Sequence, residues 1–155
     1  MLGGKAVHFV GAVGTDLIFT AVRTTSNGII GGVNYINSSD KSGIGHLKAA
    51  IEMLDIDNKV NIINAFAHEL DGEDLHNSLK LALVAVENIL HKIDNEIKLI
   101  TKTIEEHNSL YFSYWRSLDY SANLANLKVH NSILDARLDL LLKLLQVDKR
   151  RMTTK

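Results

Sequence analysis

Residues 73–118 read EDLHNSLKLALVAVENILHKIDNEIKLITKTIEEHNSLYFSYWRSL, and their pattern predicts the architecture of the whole chain. Apolar residues recur at steps of three and four, which places them on one face of a helix at the spacing of a heptad repeat. One extra step of four, between Ile93 and Ile97, is a stutter that locally relaxes a left-handed supercoil. The stripe comprises Leu75, Leu79, Ala82, Val86, Ile89, Ile93, Ile97, Ile100, Ile104, His107, Tyr111, Tyr114 and Leu118.

The start of this helix is marked more clearly than its end. The Asp-Gly pair at 71–72 ends the preceding element, and the acidic pair at 73–74 lies where the helix dipole favours negative charge. No later glycine or proline obliges the helix to stop, and an unbroken helix over the whole stretch would be about 69 Å long. We therefore expect an elongated molecule whose chain reverses direction near Asp119, with a break at residues 107–109 as the alternative.

Additional leucines widen the apolar stripe. Leu83, Leu90 and Leu99 lie beside it, so this helix should face more than one neighbour. Residues 81–86 are all apolar, and because this run is far too short to span a membrane, it predicts a segment buried on all sides. No carboxylate is assigned to the apolar face, where a raised pKa would be expected.

The first part of the chain is rich in glycine, since nine of the ten glycines fall within the first 45 residues. Asn27-Gly28 between two apolar runs is a β-hairpin signal, which would make the fold α+β. The helical alternative keeps the three-four spacing across two glycines, and we favour it for residues 5–24. Residues 29–36 then form a short second helix or an extended segment. The helical face comprises Val7, Val10, Gly14, Leu17 and Ala21.

The last segment has the most regular helical pattern in the chain. Its apolar seam alternates steps of three and four without error, and Asn131 occupies one seam position. A polar residue at such a position can fix the register of packed helices at some cost in stability. The seam comprises Leu124, Leu127, Asn131, Leu134, Leu138, Leu141 and Leu145.

Together these patterns predict an all-α fold, an elongated bundle of long antiparallel helices with a glycine-rich N-terminal segment. The polar stretch at 55–58 interrupts the helical pattern that begins at Leu47, so a kink or break is expected there. The predicted parts are a single helical domain over 1–155, made of the glycine-rich segment 1–36, a loop at 37–45 and the long-helix bundle at 46–155.

Charge is unevenly distributed along the chain. The net charge of −1 gives no general attraction to nucleic acid. Residues 44–107 carry a net charge of −6 and residues 108–155 a net charge of +4. The simplest interpretation is that the basic last helix docks beside the acidic middle, within one molecule or between two; a basic surface for an external acidic partner is the alternative.

No motif indicates catalysis, a cofactor or a metal. Glu73-x-x-His76 has the spacing of a di-iron bundle ligand pair, but no second such motif is present. The glycine pairs at 11–14 and 43–45 lack the lysine of a phosphate-binding loop. We therefore predict a non-enzymatic protein without a cofactor, and assign no catalytic or metal-ligating residue.

The leading functional hypothesis is a structural or interaction protein that self-associates, as a homo-oligomer or coiled coil, or packs with another helical protein. The aromatic cluster at 111–116 contains residue types that anchor protein interfaces. The predicted interface residues are Tyr111, Tyr114, Trp115, Asn131, Leu134, Leu138 and Leu141.

The alternative is a membrane-active helical protein whose first 36 residues insert into or bind lipid. That segment is nearly free of charge, and its start weakly resembles a signal peptide, which we expect to remain uncleaved. The expected location is cytoplasmic or intracellular, with a position peripheral to a membrane as the alternative. The predicted membrane or helix-packing residues are Gly11, Gly14, Leu17 and Ile18.

Overall fold

The computed structural model describes residues 15–40, 43–109 and 118–154. Of these residues 88% are helical and none lies in a strand, which confirms the all-α class. The five helices are α1 (Thr15–Ser38), α2 (Gly45–Leu54), α3 (Ile56–Leu70), α4 (Asn77–Ser109) and α5 (Ser121–Thr153).

Helix α4 lies at the centre of the packing, with its most extensive contacts to α5 and α1, while α1 also packs on α3. Along α4 and α5 the chain runs in opposite directions. Arg137 Nη1 donates a hydrogen bond to the carbonyl oxygen of Ala85 at 2.7 Å, and His76 Nε2 lies 3.1 Å from Asp148 Oδ1 at the far end. The short helix α2 makes few contacts, with α1 and α5.

The core is the apolar stripe of α4 with the facing residues of the other helices. Every residue of that stripe from Leu75 to Ile104 is buried, and His107 is half-buried. The prediction that residues 81–86 are buried on all sides is wrong, because Leu81 is 47% exposed. Of the leucines beside the stripe, Leu83 and Leu90 are buried, but Leu99 is 49% exposed.

Helix α1 runs without interruption through Asn27-Gly28, so the hairpin alternative is wrong for this stretch, and residues 29–36 continue the same helix. The physical reason is the packing of α1 against α4. A Cβ at Gly28 would lie 2.9 Å from Asp94 Oδ1, and a Cβ at Gly32 would overlap the side chain of Ile97. These glycines therefore allow close approach of two helices. Residues 5–14 lie outside the described part of the chain.

Several helix boundaries differ from the sequence prediction. Helix α4 begins at Asn77, so the acidic pair at 73–74 precedes the helix and does not lie in its first turn. Gly72 has φ 88°, a left-handed conformation that favours glycine. The expected break at 55–58 is confirmed at Asp55, whose φ of 53° separates α2 from α3. Left-handed φ is tolerated by aspartate better than by most residues.

Residues 110–117, which separate α4 from α5 in the sequence, lie outside the described ranges. Residues 118–120 are non-helical and precede α5. The carboxylate of Asp119 accepts hydrogen bonds from Ser121 Oγ at 2.8 Å and from Ser121 N at 3.2 Å. Both bonds lower the pKa of Asp119, the side-chain bond more strongly.

Candidate interaction surface and buried polar seam

A polar seam lies inside the contact between α1 and α4; it consists of Thr25, Gly28, Glu87, Asp94 and Lys98. Thr25 Oγ1 donates a hydrogen bond to Glu87 Oε1 at 3.0 Å. Lys98 Nζ donates to Asp94 Oδ2 at 2.6 Å. The other oxygen of each carboxylate is buried and has no hydrogen-bond partner among the described residues. The seam therefore places Asp94 against the backbone of α1 at Gly28 and Glu87 against the side chain of Thr25.

Burial raises the pKa of Glu87 above its ordinary value. The hydrogen bond from Thr25 and the nearby His91 act in the opposite direction, and Asp94 adds to the rise. The expectation that no carboxylate lies on an apolar face is wrong, since Asp94 is only 4% exposed. The missed signal is a second stripe along α4, at steps of four and three, that alternates apolar and polar residues: Leu83, Glu87, Leu90, Asp94, Ile97 and Thr101.

We expect Glu87→Gln to stabilise the protein at neutral pH and to have a smaller effect at acidic pH. A carboxylate whose pKa is raised by folding binds a proton more tightly in the folded state. Its contribution to stability is therefore greatest below the unfolded pKa and is lost as pH rises through the folded pKa. Glutamine keeps an oxygen for Thr25 without the charge. The measurement is the thermal midpoint of both proteins between pH 4 and pH 8.

Glu105→Gln is the matched control, because Glu105 lies on the same helix and is exposed. The control should show no comparable pH-dependent difference from the parent protein. A Glu87→Gln protein that is less stable than the parent at pH 8 would contradict the assigned cost of burying this charge.

The four predicted interface residues of α5 that are described face the chain's own helices. Asn131 is 7% exposed and accepts a hydrogen bond from Lys59 Nζ at 3.1 Å. Leu134 and Leu141 are fully buried, and Leu138 is half-buried. Their participation in an interface between chains stays a prediction, because within one chain they already have partners.

The remaining predicted site residues separate into two groups. Leu17 is 40% exposed at the start of α1, whereas its neighbour Ile18 is buried in the core. The others, namely Tyr111, Tyr114, Trp115, Gly11 and Gly14, lie outside the described residues.

The outward side of α5 carries a second apolar stripe, here called the outer stripe. Val129, Leu140 and Val147 are 58%, 52% and 47% exposed, and Ile133 and Leu144 are half-buried between them. The sequence contains this stripe at steps of three and four, but the core seam on the other side of α5 has the same spacing, so spacing alone does not show which side is buried. The outer stripe consists of Val129, Ile133, Ala136, Leu140, Leu144 and Val147.

Helix α4 adds apolar surface beside the outer stripe. Leu81 lies one helical turn before Ala85, whose carbonyl oxygen is bonded to Arg137 of α5. Leu99 lies eighteen residues further along, which is five full turns of an α-helix, and therefore shares the side of Leu81. Both leucines are about half exposed, so the apolar surface extends across the two longest helices.

In the ion pairs between α5 and residues 44–107, the acidic partner lies on α5, although the net charges of the two segments predict the opposite. Lys59 Nζ lies 2.7 Å from Asp135 Oδ1, and His76 lies beside Asp148, so α5 supplies the acid in both pairs. Lys143 pairs with Asp139 within α5 itself. Over the ranges that the structure describes, five Lys and Arg residues of α5 form no ion pair: Lys128, Arg137, Lys149, Arg150 and Arg151.

Two cavities and the histidines are the remaining candidate sites. A cavity of about 430 Å³ opens between α1, α2 and α3 beside Asp55 and Asp57. An apolar cavity of about 240 Å³ lies between α3 and α5, lined by Phe66 and Leu142 among others. Among the described residues, no three His, Asp or Glu side chains lie close enough together to hold a metal ion. His76 contacts Asp148 instead.

No helix in the described ranges is both long and apolar enough to cross a membrane.

Comparison with known proteins identifies one distant relative of viral origin. The chain is 27% identical over 108 residues to the uncharacterized protein L717 of Acanthamoeba polyphaga mimivirus. The match covers 70% of this chain and 49% of that protein, so the chain spans about half the length of the relative that it matches. No family model matches the chain, and no solved structure matches it.

Proposed function

We propose that this protein is a non-enzymatic structural or interaction protein, an elongated antiparallel helical bundle that self-associates through the outer stripe of α5. The observation that supports the proposal is the exposure of that stripe. Single exposed apolar residues are common on protein surfaces. A continuous apolar surface marks an interaction site, because its exposure to water is unfavourable.

The composition of this face is what separates it from ordinary surface. The six residues of the outer stripe are all apolar, whereas exposed residues beside the stripe on α5, such as Asp139, Lys143 and Gln146, are polar. Fully burying a side chain such as Leu140 contributes about 1.5–3 kcal/mol. Association in turn costs about 4–15 kcal/mol, because each chain loses translational and rotational freedom. A stable contact therefore requires the whole stripe, with help from Leu81 on α4.

The charges favour a second copy of this chain as the partner. Exposed basic residues of α5 without an ion pair, such as Arg150 and Arg151, would be complemented by an acidic residue that the same chain exposes on α4, such as Glu105. A net charge of −1 gives little repulsion between whole copies. Packing with another helical protein in a larger assembly would use the same apolar stripe.

The membrane-active alternative has no comparable support. Three apolar side chains of α1, Phe19, Val22 and Ile29, are fully buried against the rest of the bundle. Insertion of this segment into lipid would first remove them from the core, which is unfavourable by several kcal/mol for each large side chain.

We expect Leu140→Glu to prevent self-association while leaving the fold intact. A charge at the centre of an apolar contact must be desolvated without a partner, so the dissociation constant should rise by roughly a hundredfold or more. The measurement is light scattering after size-exclusion chromatography over a range of concentrations. The parent protein should show a mass that rises with concentration to at least twice that of one chain.

Met53→Glu provides the matched control, since Met53 is an exposed apolar residue of α2, 86% exposed. It receives the same charge outside the outer stripe and should associate like the parent. Circular dichroism of all three proteins establishes that each is helical. If the parent remains a single chain at every concentration, or if Leu140→Glu associates normally, self-association through this face is wrong.

A further inference from the structure

The outer stripe is symmetric about Leu140. Ala136 and Leu144 lie four residues from it, and Ile133 and Val147 lie seven residues from it. Eleven residues away, Val129 on one side corresponds to Arg151 on the other. Reversing the direction of the helix therefore maps the five apolar positions from Ile133 to Val147 onto one another, and places Arg151 opposite Val129.

This symmetry allows two copies of α5 to pair in opposite directions. With the two Leu140 side chains in contact, Ala136 of each copy faces Leu144 of the other, and Ile133 faces Val147. Such a contact uses the same surface on both copies and closes after two chains, as in other two-fold symmetric dimers. Antiparallel helices also place their dipoles in the favourable relative orientation.

Charge distinguishes the antiparallel arrangement from a parallel one. Parallel helices in register would place Lys128, Lys143 and Arg150 beside their own counterparts, which is unfavourable. Antiparallel helices move the basic C-terminal ends to opposite ends of the contact. Each end then lies beside the first turns of the partner's α5.

An acidic group is available at that position. Glu96 of α4 accepts hydrogen bonds from Asn123 Nδ2 at 2.9 Å and from Asn126 Nδ2 at 3.1 Å. These bonds hold the half-buried carboxylate next to the N-terminal turns of α5. In the antiparallel pair, Arg151 of one copy lies opposite Val129 of the other. Val129 is one helical turn from Asn126, so Arg151 lies close to the Glu96 carboxylate of that other copy.

We infer that the partner on the outer stripe is the α5 helix of a second copy, antiparallel, with the two-fold axis at Leu140 and Arg151 beside Glu96 of the other chain. This inference rests on the proposed self-association and specifies its geometry. It makes the assembly a closed dimer at this face, in which every apolar residue of the stripe except Val129 faces an apolar residue of the other chain.

Disulfide cross-linking tests the arrangement directly, because the chain contains no cysteine. A disulfide forms only where Cα atoms lie roughly 4.4–6.8 Å apart. Leu140→Cys should therefore give a cross-linked dimer after oxidation of the full chain, reversible by reductant. Val129→Cys and Val147→Cys should not, since an antiparallel contact separates each of these residues from its counterpart.

A double variant adds a positive test away from the axis. Ile133→Cys combined with Val147→Cys should cross-link two chains although neither single variant does. The two positions are about 21 Å apart along one helix, so they cannot pair within a chain. Val147 is exposed, and the half-buried Ile133, which packs against the edge of the core, is replaced by a smaller apolar residue, so circular dichroism should show the parent helicity.

The possible outcomes separate this inference from the proposed function. Cross-links at Leu140→Cys, Val129→Cys and Val147→Cys alike would show a parallel pair and overturn the inference. Unmodified protein of dimer mass with no cross-link at Leu140→Cys would also overturn it, while self-association would stand. A single-chain mass at every concentration would overturn both.

Discussion

Replacing Gly32 with alanine is expected to lower the free energy of unfolding by about 1–3 kcal/mol, whereas the same replacement at Gly31 is expected to raise it by about 1 kcal/mol. Both residues lie inside α1, so alanine improves the helix propensity equally at the two positions. The difference comes from what each position faces. A methyl group at Gly31 meets no atom within 4 Å, whereas one at Gly32 overlaps the side chain of Ile97.

Ile97 has little freedom to move away. Its side chain is fully buried, and a β-branched residue in a helix has one strongly preferred rotamer. Relief of the overlap therefore requires α1 to shift outward from α4, which loosens the contact that also contains Gly28 and Asp94. Interiors packed at crystal density do not absorb such a shift without loss of contacts.

Thermal or urea unfolding of the parent and the two variants, at one protein concentration, gives the comparison. Gly31→Ala serves as the internal control, because it is the same substitution in the same helix and changes the helix propensity by the same amount. Equal stability of the two alanine variants would mean that α1 does not approach α4 at Gly32, and would remove the reason given for the glycines of this helix.

Phe19→Ala is expected to destabilise the protein by about 3–5 kcal/mol, an effect comparable to a large part of a typical domain's stability. Phe19 is fully buried near the start of α1, so its removal loses apolar burial and leaves a cavity. Leu17→Ala, two residues earlier and on the exposed side, should change stability by no more than about 0.5 kcal/mol.

This pair of variants also tests whether α1 belongs to the cooperative fold. If residues 15–38 were a separable segment held in reserve for another environment, Phe19→Ala would leave the main unfolding transition unchanged. Denaturant unfolding followed by circular dichroism and by heat capacity distinguishes the two cases. A transition unaffected by Phe19→Ala would revive the membrane hypothesis for the N-terminal segment.

The spacing of apolar residues was sufficient to predict the two long helices, α4 and α5. The stripe of α4 from Leu75 to Ile104 and the seam of α5 around Leu134 are buried as the spacing predicts, because a helix with a wide apolar face must place that face against others. The break at Asp55 was equally readable, since a polar stretch interrupts the apolar pattern there.

Other features depend on which helices meet, and the spacing of residues carries no information about that. Asn27-Gly28 carries a turn signal, yet it lies inside α1 because Gly28 and Gly32 are used for contact with α4. Glu87 and Asp94 lie on the second stripe of α4. They form a buried polar seam because α1 places Thr25 and Gly28 opposite them.

The neighbouring helices also determine which apolar faces remain exposed. Leu81 and the outer stripe of α5 are as apolar as many core residues, and their sequence spacing is as regular. They remain at the surface because α4 and α5 use their other sides to pack on each other and on α1. Local periodicity specifies that a helix has an apolar face; the number and placement of neighbouring helices specify which of its faces is covered.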